Sequence, residues 1–157
     1  MKESTKLSLE PFTVAHLDEV LEIERLSFTD PWTRAMFRSE LEVAAHTYGR
    51  IAIEDNRVVG YLLAVLIPDE AHLGNLAVHP RSRRRGVAQR LLDDLVQTSR
   101  MRGVRRVTLE VRESNAVARK FYATNDFMDI AIRKNYYRNP VEDAIVMLCG
   151  LPEEPSG

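Results

Sequence analysis

Apolar and polar positions change period several times along the chain, and each change marks an element. Leu7, Leu9 and Phe12 alternate with polar residues, the pattern of a short first strand. Thr13 then caps a helix running to about Arg25, with Val14, Leu17, Val20 and Leu21 on one face. Pro31 pushes Asp30 out of helical geometry, so residues 28–32 read as a loop. Thr33 opens a short helix carrying Met36, Phe37 and Leu41. Residues 48–54 alternate as a strand, Asp55-Asn56 is a hairpin turn, and residues 58–67 return as the next strand. Residues 71–78 form another, in which Gly74 marks a bulge or a close backbone approach.

Ala88, Leu91, Leu92, Leu95 and Val96 stand at offsets of 0, +3, +4, +7 and +8, the clearest amphipathic helix in the chain. Gly103 closes it as a C-terminal cap. Residues 107–111 are a strand, and Asn115 caps a helix from Ala116 to about Asn125. Residues 127–132 and 144–148 are two closing strands joined by a long polar turn. The order is β-α-α-β-β-β-α-β-α-β-β. Strand, helix and strand across residues 71–111 predict a parallel crossover inside an otherwise antiparallel sheet.

Composition narrows the class. A chain of 157 residues predicts a single domain over residues 1–150, with the Pro- and Glu-rich residues 151–157 as a frayed tail. Hydrophobic residues make up 45% and charged residues 29%, which excludes a disordered chain, a collagen and a coiled-coil rod. A net charge of -1 gives no global field toward nucleic acid or membrane. The single Cys rules out a disulfide within the chain and fits a reducing cytoplasm, the expected location. The first ten residues are mixed polar, so no secretory leader is expected. No apolar run approaches the ~20 residues of a membrane span.

Arg81, Arg83, Arg84 and Arg85 precede Gly86-Val87-Ala88 at the mouth of the best helix. Free N–H groups at a helix start, the positive end of its dipole and flanking guanidinium groups together favour a phosphate. Gly86 has no side chain to hold a ligand off, and small Ala88 helps in the same way. A solvated basic loop is the plainer reading. A nucleic-acid patch is a second, but the stretch has no interleaved aromatics. No Gly-Lys-Ser/Thr follows, so this is not a Walker A loop, and G-x-G-x-x-G is absent.

The run Arg83-Arg84-Arg85-Gly86-Val87-Ala88 resembles the Q/R-x-x-G-x-G/A signature of the GNAT acetyltransferases, and the element order is similar to that fold over nearly the full length. The resemblance implies an α/β (α+β) architecture: a mixed, mostly antiparallel sheet of about seven strands with a central, splayed parallel pair, flanked by about four helices. It implies acetyl-CoA as cosubstrate, its pyrophosphate on Arg83, Arg84, Arg85, Gly86, Val87, Ala88 and Gln89. It also implies that Leu76, Ala77 and Val78 pair with the pantetheine arm as a missing strand would.

Residues 109–116, Phe121-Tyr122, Asn135-Tyr136-Tyr137, residues 142–147 and the F-x-x-P-W pattern of Phe28 to Trp32 resemble the RimI type within that family. Those enzymes are ribosomal-protein-alanine N-acetyltransferases. The expected acceptor is therefore the N-terminus of a ribosomal protein, with a Lys side chain or a small amine as the alternative. A non-catalytic CoA- or RNA-binding module is the remaining rival. A monomer with no nucleic-acid or membrane partner is expected. Two departures stand out. Asp126 replaces a helix-ending Gly of the relatives, a position where Asp tolerates the left-handed conformation. Gly74 replaces a bulky apolar residue and bears on the acceptor side.

The resemblance gives Glu110 and Tyr122 as catalytic residues and adds Asn115 to the cofactor contacts. An amine attacks a thioester only when neutral. At pH 7.5 about a third of α-amines are neutral, against about a thousandth of Lys amines. Glu110, in the middle of an apolar strand, suits a base that takes the proton directly or through water. Tyr122 suits a hydrogen-bond donor to the departing thiolate, because a phenol near pKa 10 is a weaker acid than a thiol near 8.5. Its helical spacing fits a core Tyr equally well. Cys149 ends an apolar strand with no neighbouring His and is expected to be packed, which favours direct attack in a ternary complex. His16, His46, His72 and His79 lack paired ligand spacing, so no metal is expected.

Overall fold

The computed structural model describes residues 6–43 and 45–153. Residues 154–157 of the expected tail lie outside them. Among the described residues the strands are β1 (Ser8–Pro11), β2 (Thr47–Glu54), β3 (Arg57–Ile67), β4 (Glu70–Val78), β5 (Arg106–Arg112), β6 (Met128–Tyr137) and β7 (Glu142–Gly150). The α-helices are α1 (Leu17–Ser27), α2 (Arg34–Val43), α3 (Val87–Met101) and α4 (Ala116–Thr124). The strands pair in the order β1-β2-β3-β4-β5-β7-β6. The chain forms two compact units. The first holds the chain up to Ala64 and Asn75–Leu95; the second holds Val65–Gly74 and the chain from Val96 onward.

In the first unit, β1 runs antiparallel to β2, with Ser8 opposite Ile53. Asp55 and Asn56 turn β2 into β3 with φ of 54° and 60°. Both values are those of a type I′ turn, whose twist matches the flanking strands. Phe12, Leu17, Val20, Ile23, Phe37, Ile51 and Tyr61 form its core. Phe37 meets Tyr61 edge-on at 5.8 Å and Trp32 at 5.2 Å, so Trp32 closes this core on the loop between α1 and α2.

The helix expected from Thr13 divides in two. Residues 14–16 make a 3₁₀ turn before α1. The Thr13 N–H donates to Nδ1 of His16 at 3.0 Å, and this side-chain acceptor tightens the first turn. In α2 the Thr33 hydroxyl accepts from the Met36 N–H at 3.2 Å, the cap its position predicts.

In the second unit, β5 alternates buried Val107, Leu109 and Val111 with half-buried Thr108 and Glu110. Its seven residues pair without a break against β7, from Arg106 opposite Gly150 to Arg112 opposite Ala144. The predicted parallel pair joins β4 and β5 from Glu70/Arg106 to Leu73/Leu109. Helix α3 carries the crossover and ends at Gly103, φ +75°. Strand β6 is longer than its pattern suggests, reaching Tyr137, so the polar turn before β7 is short. An edge strand needs no buried face. Here polar contacts hold it: the Asn135 N–H and the Lys134 Nζ both donate to Asp143, at 2.9 and 3.2 Å.

Candidate active site

The Arg-rich connection lies in the first unit. His79 ends β4, and its Nδ1 accepts from the Arg81 N–H at 3.1 Å, capping a 3₁₀ turn over Pro80–Ser82. Arg84 and Gly86 then take φ of +64° and +81°, turning the chain into α3. A Cβ added at Gly86 would meet nothing within 4 Å. The space in front of this backbone is open, and the first N–H groups of α3 have no partner within their own helix. A pyrophosphate suits that combination.

Gly60 sets where the helix starts. A Cβ there would lie 3.0 Å from Val87 Cγ1, 3.1 Å from the Ala77 carbonyl oxygen and 3.3 Å from Leu91 Cδ1. Only a residue without a side chain lets α3 lie this close to β3. The sequence pattern shows Gly60 merely as a break in an apolar run.

The arginines divide by partner. Arg83 Nε donates to the Val78 carbonyl at 3.2 Å, and Arg85 pairs with Glu54 at 3.0 Å. Arg84 is exposed at the left-handed turn. Ala77 and Val78 are buried and Leu76 half-buried. Gln89 Nε2 donates to Asp93 at 2.8 Å, and Val87 is buried against the sheet side of its helix.

Glu110 lies in the second unit, one residue past Leu109, where the parallel ladder ends. Its side chain is 13% exposed. His72 sits on β4 opposite Thr108, on the same face. Its Nε2 lies 2.6 Å from Oε2 of Glu110. From the far side Arg133 on β6 reaches across β7 and donates to Oε1 at 3.3 Å. The His72 hydrogen bond, with Arg133 behind it, holds the Glu110 carboxyl below the usual carboxylate range against the effect of burial. The same bond holds the His72 imidazole above its ordinary value, against its own desolvation. The sequence places neither His72 nor Arg133 at the site. Both are brought there by strand register alone.

Tyr122 is 9% exposed on α4. Its ring packs edge-on against Phe121 at 5.3 Å and Phe127 at 5.5 Å. Burial pushes its phenol well above the usual range. Burial raises the Tyr137 phenol, with Tyr136 and the Glu110 carboxylate nearby adding to the rise. Arg112 stacks on Tyr137 at 4.6 Å and donates to the Pro140 carbonyl and to Glu142. These contacts hold the β6–β7 hairpin over the end of β5. Asn115 Oδ1 accepts from the Ala118 N–H at 3.2 Å, capping α4 as its position predicts. Asp126 ends that helix with φ +70°. Cys149 is buried, and burial pushes its thiol up, as suits a packed side chain.

One buried polar group stands outside the sequence expectations. Glu24 is 2% exposed inside the first unit. Its carboxylate accepts from the Trp32 N–H at 2.9 Å and from the Tyr61 hydroxyl. It stands three, four and seven residues after Leu21, Val20 and Leu17, on the apolar stripe of α1, where a polar residue interrupts the pattern. Among the described residues, no group of three or more His, Cys, Asp or Glu could hold a metal, and no helix is long and apolar enough to cross a membrane.

These features match known proteins along nearly the whole chain. The acetyltransferase (GNAT) family profile matches residues 17–127. A [ribosomal protein bS18]-alanine N-acetyltransferase of Haemophilus ducreyi is 32% identical over 142 residues, covering 88% of this chain and 97% of that protein. The crystal structure of the ribosomal-protein-S18-alanine N-acetyltransferase from Escherichia coli superposes with a TM-score of 0.87 at 28% identity, covering 97% of this chain and 98% of that one. The structure of Ard1 from Thermoplasma volcanium gives a TM-score of 0.85 at 27% identity, covering 94% and 99%. The chain belongs to the GNAT acetyltransferase family.

Proposed function

We propose that the chain transfers the acetyl group of acetyl-CoA to the α-amine of a protein N-terminus, and that its acceptor is the N-terminal alanine of ribosomal protein bS18. The observation that carries this is the half-buried Glu110 at the end of the parallel ladder, in a chain whose relatives of that name match it from end to end. A ribosomal acceptor places the reaction in the cytoplasm.

Acetyl-CoA supplies an activated acyl group; the chain's residues bind it and manage protons. The Arg84–Gln89 backbone holds the pyrophosphate at the start of α3, where Gly86 lets it come close. Beyond Leu73 the edge of β4 is no longer paired with β5, so Leu76–Val78 offer backbone groups to the pantetheine amides. Glu110 takes the proton of the incoming amine. An α-amine needs little help at neutral pH, which suits a carboxylate of low basicity. Tyr122 keeps its proton at every working pH and donates a hydrogen bond to the sulfur as negative charge builds there.

A peptide starting with Ala and carrying internal Lys, incubated with the protein and acetyl-CoA and mapped by mass spectrometry, tests this. Acetyl on the α-amine alone is expected. Acetyl found only on Lys overturns the acceptor assignment. Calorimetric titration that shows RNA binding and no acetyl-CoA binding overturns the enzyme reading itself.

A further inference from the structure

We infer that His72 is a positioning residue for the acetyl transfer: through its hydrogen bond to Glu110 it forms a two-group proton acceptor, so the proton taken from the substrate amine by Glu110 comes to rest on His72 Nε2. The inference rests on the reading of Glu110 as the base.

Four observations meet here. His72 and Glu110 come from adjacent parallel strands, and the pairing of His72 with Thr108 fixes both side chains on one face. Nε2 and Oε2 are 2.6 Å apart, a distance at which a proton passes without rearrangement. The His72 side chain is 41% exposed, so it can release a proton to solvent after turnover, while Glu110 is 13% exposed and exchanges poorly by itself. The charged groups facing the pair are Glu70 on the same strand as His72 and Arg133 on β6, with the Tyr136 ring stacked under Arg133 at 4.7 Å. Arg133 and the bond from His72 together leave Glu110 a weak base, and the imidazole, raised by its partner, is the stronger one.

The step balances. The amine nitrogen gives one proton to Glu110, which passes it to His72. The N–C bond forms as the C–S bond breaks; the thiolate takes one proton from solvent to leave as CoA thiol, and His72 returns one to solvent, so no net proton is gained or lost. Turnover therefore needs His72 neutral at the outset with its proton on Nδ1, so that Nε2 is open to the proton that Glu110 passes on. The acid side of the rate profile is then governed by an imidazole held above its ordinary value and not by a carboxylate held below its own.

The test compares wild type, His72→Gln and Glu110→Gln on an Ala-starting peptide, with kcat and kcat/KM measured from pH 5.5 to 9. Circular dichroism checks that each variant is folded. In the wild type, log kcat/KM should rise with a slope of about 2 below pH 6.5, because the substrate amine and the pair must each lose a proton. In His72→Gln, which keeps a hydrogen-bond donor to Glu110, kcat should fall about 10- to 100-fold and the slope should drop to about 1. A His72→Gln enzyme with wild-type slope and kcat overturns the inference. If Glu110→Gln is inactive in that case, the base reading still stands. An active Glu110→Gln removes the base reading and the inference with it. A folded His72→Gln with lowered kcat and an unchanged slope of 2 also overturns the inference, since it leaves only orientation of Glu110.

Discussion

The Tyr61 hydroxyl donates to a carboxylate oxygen of Glu24 inside the apolar core of the first unit. Burial holds the Glu24 carboxyl above the usual range, and the Trp32 N–H, Tyr61 and Asn75 work against that rise. Removing one donor should therefore be felt chiefly when Glu24 is charged. Tyr61→Phe should destabilise the fold by about 1–3 kcal/mol at pH 7.5. The sign follows from linkage. Losing the donor raises the folded-state value further above the unfolded one, so the variant's deficit is small below pH 4.5 and grows as pH rises through the folded value. Urea titrations at pH 4.5 and 7.5 measure both. An equal deficit at the two pH values would show that Glu24 stays protonated.

Tyr122→Phe keeps the ring contacts to Phe121 and Phe127 and removes only the hydroxyl. Stability should hold while kcat falls about 10²-fold, the scale for one lost donor to developing charge. Because burial holds the phenol protonated, wild-type kcat should also show no loss to tyrosine ionisation up to about pH 9.5. Steady-state rates across pH check both; full activity in the Phe variant removes Tyr122 from the chemistry.

Gly86→Val places a branched side chain at φ +81°, where an L residue is strained, and over the backbone offered to the pyrophosphate. The fold should lose about 1–2 kcal/mol. KM for acetyl-CoA should rise at least tenfold, well beyond the change in KM for the peptide. Equal effects on both KM values would place the diphosphate elsewhere.

Asp126→Gly should stabilise. Asp126 sits at φ +70°, a conformation that Gly adopts without Cβ strain. A gain of about 0.5–1 kcal/mol is expected, or roughly 1–4 °C in Tm for a chain of this size. Thermal unfolding followed by circular dichroism measures it, and a lowered Tm would mean that the Asp126 side chain makes a contact worth more than the strain.

Features that depend on a few neighbouring residues were readable in advance. The stripe on α3, the Asp55-Asn56 turn, the Gly103 stop and the Asn115 cap each rest on a short stretch of chain. So does the parallel crossover, which follows from the strand, helix and strand of residues 71–111. What depends on register was not readable. His72 and Glu110 are 38 residues apart, and nothing in either stretch says that their side chains share a face. Arg133 needs two strand pairings to be placed. Glu24 lies on the apolar stripe of α1, but its donors, on Trp32 and Tyr61, come from other stretches of chain that no local pattern joins to it. Gly60 matters for what a side chain would strike in another element, which no local pattern records.

The unbroken match of β5 to β7 sets limits on how the chain can change in length. Because alternate residues of a strand face opposite ways, one added or deleted residue between Arg106 and Glu110 would turn the carboxylate to the other side of the sheet, even if every hydrogen bond reformed. Residues 138–141, in the turn leading into β7, carry no such parity. Gene variants with insertions there can keep their chemistry, while a single-codon indel in β5 exchanges the faces of Glu110 and its buried neighbour Val111 and should cost both stability and acetylation.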